Sequence, residues 1–173
     1  IEKGYGILLP EYRGYGGNPG NPTEEGLYHD ARAHLDWLLK DRKIKPENLI
    51  LYGESLGSGV AVQMATEYEA KALILDVPYF SVLEMCRFRA PFIPFMQKLA
   101  KDHYRSDLKI GTLNLPVFVG VGERDMIIPY RFGTKLFEAA NEPKKLMKYP
   151  EAGHLGIYAK GFAQDLIILI EKL

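Results

Sequence analysis

The 173 residues balance 22 basic against 22 acidic side chains, and 47% of them are hydrophobic. That length and composition suit one domain with a real core, and zero net charge without a basic stripe leaves no electrostatic footprint for a nucleic-acid partner. The only cysteine, Cys86, cannot close an internal disulfide, and no paired Cys/His spacing points to zinc.

The chain opens on Ile1 rather than Met, at the approach to a strand, so sequence upstream of it is expected. Apolar stretches such as residues 166–170 are far short of the roughly 20 residues that span a bilayer. Membrane association is therefore expected only through upstream sequence, and the compartment stays open. Residues 6–10 (G-I-L-L-P) form a short apolar run ended by proline, the first expected strand. Arg13-Gly14-Tyr15-Gly16-Gly17 follows; it lacks the G-K-[ST] ending of a phosphate-binding loop and reads as a tight turn. Thr23 before Glu24 and Glu25 has the form of a helix N-cap with an acidic first turn, and Leu27, Ala31, Leu35 and Leu38 recur at helical spacing to about Asp41.

Apolar runs at 48–52, 72–75, 116–121 and 146–149 alternate with helical patterns at 56–68, 131–140 and 157–172. Strands that are apolar throughout, rather than alternating, predict a sheet covered on both faces, and the intervening helices predict parallel pairing. The expected fold is α/β, doubly wound, with a mostly parallel sheet. Residues 81–106 interrupt the rhythm with Pro91 and Pro94 among aromatic side chains, and their place between two strands predicts a short cap or lid.

The chemistry centres on Gly53-Glu54-Ser55-Leu56-Gly57, which follows an apolar strand and precedes the small-residue run Ser58-Gly59-Val60-Ala61. A G-x-S-x-G turn between strand and helix lifts the serine above the sheet and turns the next amide, here Leu56, toward a developing oxyanion. Side chains at Gly53 and Gly57 are both expected to collide with neighbouring backbone. A serine nucleophile needs a histidine and a carboxylate in the order Ser, Asp, His, and Asp125 and His154 each follow a late strand. Glu123 neighbours that acid, Asp76 after the 72–75 strand is an alternative to it, and His29, His34 and His103 fall in helical contexts.

The resemblance extends beyond these residues. Tyr12-Arg13-Gly14-Tyr15-Gly16, Pro22-Thr23-Glu24-Glu25-Gly26-Leu27 with Asp30-Ala31, Pro78-Tyr79-Phe80-Ser81, Ala90-Pro91-Phe92-Ile93-Pro94 and Gly122-Glu123-Arg124-Asp125 with Ile128-Pro129 resemble the α/β-hydrolases of the Bem46-like group, which includes the ABHD13, ABHD12 and ABHD17 types. The chain departs from that pattern at Val121-Gly122, where the group reads His-Gly, and at Leu155-Gly156, where it often reads Asn-Asp. The resemblance implies one α/β-hydrolase domain over 1–173, N-terminally incomplete, with the loop that supplies a second oxyanion amide expected before Ile1.

It also implies a serine hydrolase acting on a carboxylic ester or acyl thioester, with a small-molecule, lipid or acylated-protein substrate and neither metal nor organic cofactor. Tyr79, Phe80, Phe88, Phe92, Phe95 and Met96 are candidates to line an acyl pocket; packing of the cap onto the sheet explains them equally well. A peptidase of prolyl-oligopeptidase type, a lyase or haloperoxidase use of the same residues, and a non-catalytic binding protein are the alternatives.

Overall fold

The structure, a computed structural model, describes residues 4–93 and 100–173. Four strands, β1 (Ile50–Glu54), β2 (Ala72–Asp76), β3 (Val117–Gly122) and β4 (Lys144–Tyr149), pair in parallel in the spatial order β1-β2-β3-β4. The helices that link them are α2 (Leu56–Glu67), α3 (Val82–Arg89), the short α4 (Ser106–Lys109) and α5 (Arg131–Ala139), with α1 (Glu24–Asp36) before the sheet and α6 (Phe162–Ile170) after it.

Every residue of β2 and β3 is buried, which explains their unbroken apolar runs: both faces are covered. Leu73, Leu75, Val117, Val119 and Val121 enter a core with Leu27, Leu35, Val62, Met64 and Leu136 from α1, α2 and α5. Ala72, Ile74 and Phe118 point the other way, into a second core with Ile157, Phe162, Leu166 and Leu169. Gly120 on β3 faces that second core, where an added Cβ would stand 2.6 Å from the Phe162 ring. The missing side chain at 120 is the space Phe162 fills.

The α1 N-terminus is capped as its sequence dictates, with the Thr23 hydroxyl accepting the Gly26 amide. Glu24 does more than favour the helix dipole. Its carboxylate accepts the amides of His103 and Tyr104, while Asp102 accepts the Glu24 amide at 2.7 Å, so the start of α1 is tied to the segment entering α4. The helix continues through a π-helical turn at Trp37–Asp41, reaching the expected end.

Two expectations differ from the fold. Residues 6–10 form no strand among the described residues, and Ile7 and Leu9 are exposed. An apolar run becomes a strand only when a neighbour completes its hydrogen-bond ladder, and none is paired with it here. The pattern at 157–172 is not one helix: a 3-10 turn, Tyr158–Lys160, is separated from α6 by Gly161 at φ 110°, a left-handed conformation that glycine adopts without steric cost.

Phe162 is fully buried against both Ile157 and the strand at Gly120. Phe162→Ala is expected to cost about 3–5 kcal/mol by the cavity it leaves. Urea unfolding measures this; a loss under about 1 kcal/mol would place the ring outside a close-packed core.

Candidate active site

At the carboxyl end of β1 the chain turns straight into α2, and Ser55 at that junction has φ 50° and ψ −117°. This is a conformation that L-residues avoid, at a cost of order 1–3 kcal/mol, and it is held by its surroundings. The Ser55 amide donates to the Asp76 carbonyl on the neighbouring strand at 2.9 Å, and the Ser58 amide and hydroxyl donate back to the Ser55 carbonyl at 3.0 and 2.6 Å. Leu56 begins the helix, so its N–H is among those with no intrahelical acceptor, at the positive end of the α2 dipole.

The glycines of the turn differ in their roles. A Cβ on Gly53 would lie 2.7 Å from the Ser58 Cα and from the Ala61 Cβ, and closer still to the Gly57 carbonyl oxygen. Gly57 departs from expectation: an added Cβ there meets nothing nearer than the Tyr12 hydroxyl at 4.0 Å, because Gly57 stands on the outer side of the first helical turn. The second close approach is at Gly59, which receives the Tyr79 ring.

His154 Nε2 lies 2.9 Å from the Ser55 Oγ, and His154 Nδ1 lies 2.7 Å from Asp125 Oδ2. With Nδ1–H donating to the carboxylate, Nε2 is left as the acceptor for the serine hydroxyl. The other oxygen of Asp125 accepts the amides of Ile127 and Ile128, both at 2.8 Å, so the acid is fixed from two sides. The loops that carry the pair are locked together: Glu123 N–H donates to Tyr149 O and Arg124 N–H to Ala152 O, and Gly122 leaves room for that loop by having no Cβ.

The competing residues stand elsewhere. Glu123 is exposed. The imidazole of His29 pairs with Glu25 on the surface of α1, His34 is half-buried on the same helix, and the ring of His103 contacts the Ala100 carbonyl. Asp76 is buried beneath the elbow, its Oδ2 accepting the Tyr52 hydroxyl. Burial pushes its carboxyl up to about 7, helped by the charge of Glu54 and opposed by the Tyr52 bond and by His154. Burial and the bond to Asp76 push the Tyr52 phenol up in turn. Among the described residues no three His, Cys, Asp or Glu side chains gather as a metal site.

The pocket candidates separate by position. Tyr79 is only 3% exposed and donates its hydroxyl to the Leu56 carbonyl at 3.2 Å, so it buttresses the elbow from the core instead of lining a surface. Phe80 is half-buried beneath the Lys135 ammonium, 4.2 Å from its ring. Phe88 packs edge-on against Phe132 at 5.7 Å, with the Arg131 guanidinium 4.3 Å from its centroid. Phe92 is exposed, while Phe95 and Met96 lie outside the described residues.

Sequence reasoning missed three neighbours. Met126 and Leu155, next in the chain to Asp125 and His154, are 82% and 84% exposed, apolar side chains presented at the mouth of the site. Their signal was local: each directly follows the acid or the histidine in the chain. Arg89, at the end of α3, donates to the carbonyls of Met126 and Ile127 at 2.6 and 2.7 Å.

A parallel sheet covered on both faces, with a strained serine at a strand-to-helix turn, is the architecture of the α/β-hydrolases. An esterase from Pyrococcus furiosus shares it, with a TM-score of 0.72 and 18% identity over 94% of this chain and 68% of its own. The chain belongs to the Hydrolase_4 family, described as serine aminopeptidase S33, whose family model matches residues 1–110. Among its relatives, the uncharacterized protein Rv2307c of Mycobacterium tuberculosis is 41% identical over 151 residues, 87% of this chain and 53% of that protein. Human alpha/beta hydrolase domain-containing protein 17B is 36% identical over 148 residues, covering 86% and 50% respectively. The chain thus spans about half the length of these relatives.

The geometry of the turn separates its glycines experimentally. Gly53→Ala is expected to destabilise by about 1–3 kcal/mol through overpacking against backbone. Gly57→Ala, in open space on a helix, is expected to be neutral or to stabilise by up to about 1 kcal/mol. Thermal unfolding of both variants decides it; equal losses would mean that the turn is not packed as described.

Proposed function

We propose that the chain is a serine hydrolase that cleaves carboxylic esters or acyl thioesters. The observation that carries this is the unbroken series from Ser55 Oγ to His154 Nε2 at 2.9 Å and from His154 Nδ1 to Asp125 at 2.7 Å. In the reaction, Ser55 attacks the acyl carbonyl while His154 takes its proton, and Asp125 holds the imidazole in the tautomer that leaves Nε2 free. The Leu56 amide meets the oxyanion at the α2 N-terminus. His154 then returns the proton to the leaving alkoxide or thiolate, and the acyl-enzyme is hydrolysed by a water deprotonated by the same histidine.

The apolar side chains next to the acid and the histidine, Met126 and Leu155, favour an aliphatic acyl group over a polar one. On this reading residues 1–173 act as one α/β-hydrolase domain and 81–106 as its cap. Peptide hydrolysis is the second reading, favoured by the serine aminopeptidase description of the matched family. The alternatives are distinguished by assaying aminoacyl amides beside ester and thioester substrates.

Fluorophosphonate labelling is expected for the wild type and absent in Ser55→Ala. With a p-nitrophenyl ester of a medium-chain acid, Asp125→Asn is expected to lower kcat by about 10⁴-fold while the protein stays folded. Folded wild-type protein that neither labels nor turns over an ester, thioester or amide would favour a binding role.

A further inference from the structure

Ser55 and Leu56 are both held by one short piece of chain, the residues that leave β2. The Asp76 carbonyl accepts the Ser55 amide at 2.9 Å, and three residues later the Tyr79 hydroxyl donates to the Leu56 carbonyl at 3.2 Å. Between these two points the chain turns sharply. Val77 has φ 43°, a left-handed conformation that a β-branched residue strongly disfavours, and Pro78 follows with its own φ fixed by its ring. The Val77 amide donates to the Gly120 carbonyl and the Phe80 carbonyl accepts the Asp107 amide of α4, both at 2.9 Å, so the turn is anchored on either side. Strain of this kind persists only where the surroundings impose it.

The Tyr79 side chain is buried, and its reach to α2 depends on Gly59. An added Cβ there would collide with the phenol oxygen and stand 2.9 Å from the ring carbon that bears it. The ring lies edge-on to Tyr104 at 6.3 Å, and Tyr104 edge-on to Tyr28 at 5.8 Å. Tyr104 is itself held at φ 41°, its amide bonded to the Glu24 carboxylate at 3.0 Å. Packing alone does not call for a hydroxyl at position 79, because a phenylalanine ring fills the same box. Nor does the helix call for it: a carbonyl in the first turn finds its partner in the amide four residues on, and the bond from Tyr79 uses a second lone pair.

We propose that Tyr79 is a positioning residue for the reaction: by holding the Leu56 carbonyl from beneath, its phenol sets the direction in which the Leu56 N–H faces the oxyanion. This rests on the reading of Ser55 as the nucleophile and Leu56 as an oxyanion donor. The N–H and C=O of one residue are separated by that residue's φ and ψ alone, so a restraint on one is passed to the other. Such a donor is effective because it is aimed before charge develops. With the Asp76 carbonyl on Ser55 and the Tyr79 hydroxyl on Leu56, the turn after β2 fixes nucleophile and donor relative to each other, independently of the loops that carry Asp125 and His154.

The test compares wild type, Tyr79→Phe, and protein with 4-aminophenylalanine in place of Tyr79, which keeps an N–H donor at the end of the ring. On the same samples kcat and KM are measured for a p-nitrophenyl ester, affinity is measured for the matching trifluoromethyl ketone, and amide exchange is followed by NMR. In Tyr79→Phe, kcat is expected to fall about 10-fold with KM unchanged, less than the roughly 10²–10³-fold that losing an oxyanion donor outright costs. The ketone should bind more weakly by the same factor as kcat/KM. Amides of residues 57–60 should exchange at least about 10-fold faster while those of β3 do not change. The 4-aminophenylalanine protein should recover all three. Lower thermal stability with kcat per folded molecule and ketone affinity unchanged would overturn the inference, as would a loss that the amino group does not restore, since that assigns it to packing. Should Tyr79→Phe fail to fold, 4-fluorophenylalanine at that position fills the hydroxyl's space without a proton and carries the same comparison. The exchange measurement needs no turnover, so an inactive wild type sinks the hydrolase reading alone, and unchanged exchange in Tyr79→Phe sinks this one.

Discussion

The hydrogen bond from the Ser55 amide to the Asp76 carbonyl joins the two central facts of this molecule, a parallel sheet and a serine in a conformation serine avoids. A residue at φ 50° relaxes unless something prevents it, and here the neighbouring strand and the start of α2 do so together. The sheet must be parallel for both to act at once, since the strand end and the helix start then fall on the same edge. Gly53 follows from that requirement, because the chain folds back on itself too closely there for a Cβ, while Gly59 makes room for the Tyr79 ring.

The same edge assembles the rest of the site. β3 and β4 end on the same edge as β1 and β2, and each releases a loop: the one after β4 carries His154 to the serine, and the one after β3 carries Asp125 to that histidine. Neither loop is regular structure, so their precision comes from elsewhere. Backbone bonds from Glu123 to Tyr149 and from Arg124 to Ala152 hold one to the other, and Asp125 is clasped by the amides of its own turn. Site geometry on loops is usually soft; here it is stiffened by cross-bonding before any ligand arrives.

The sequence made local things legible. The strand, elbow and helix around Ser55 stand in a row, and the order of acid and histidine followed from strand ends, so chain position alone suggested which side chains meet. The doubly wound sheet was readable because β2 and β3 have no polar side to present until Asp76. What the sequence hid was direction and partnership. Gly57 and Gly53 look equivalent in the motif, yet one faces packed backbone and the other open space. Tyr79 sits among the aromatics of 79–96 as if with them, but its ring points into the core beneath Leu56. The run at 6–10 has strand composition without a strand's hydrogen-bonded neighbour, and Gly161 broke a helix that apolar spacing alone predicted to be continuous. Each of these depends on what lies across space from a residue, which periodicity does not encode.

The grip of Arg89 on the carbonyls of Met126 and Ile127 has a mechanical meaning. Those carbonyls belong to the very turn whose amides cradle Asp125. Helix α3 and the acid are in this way coupled like a handle and a latch, with one guanidinium as the linkage. A displacement of α3 would therefore be felt at the turn that holds Asp125.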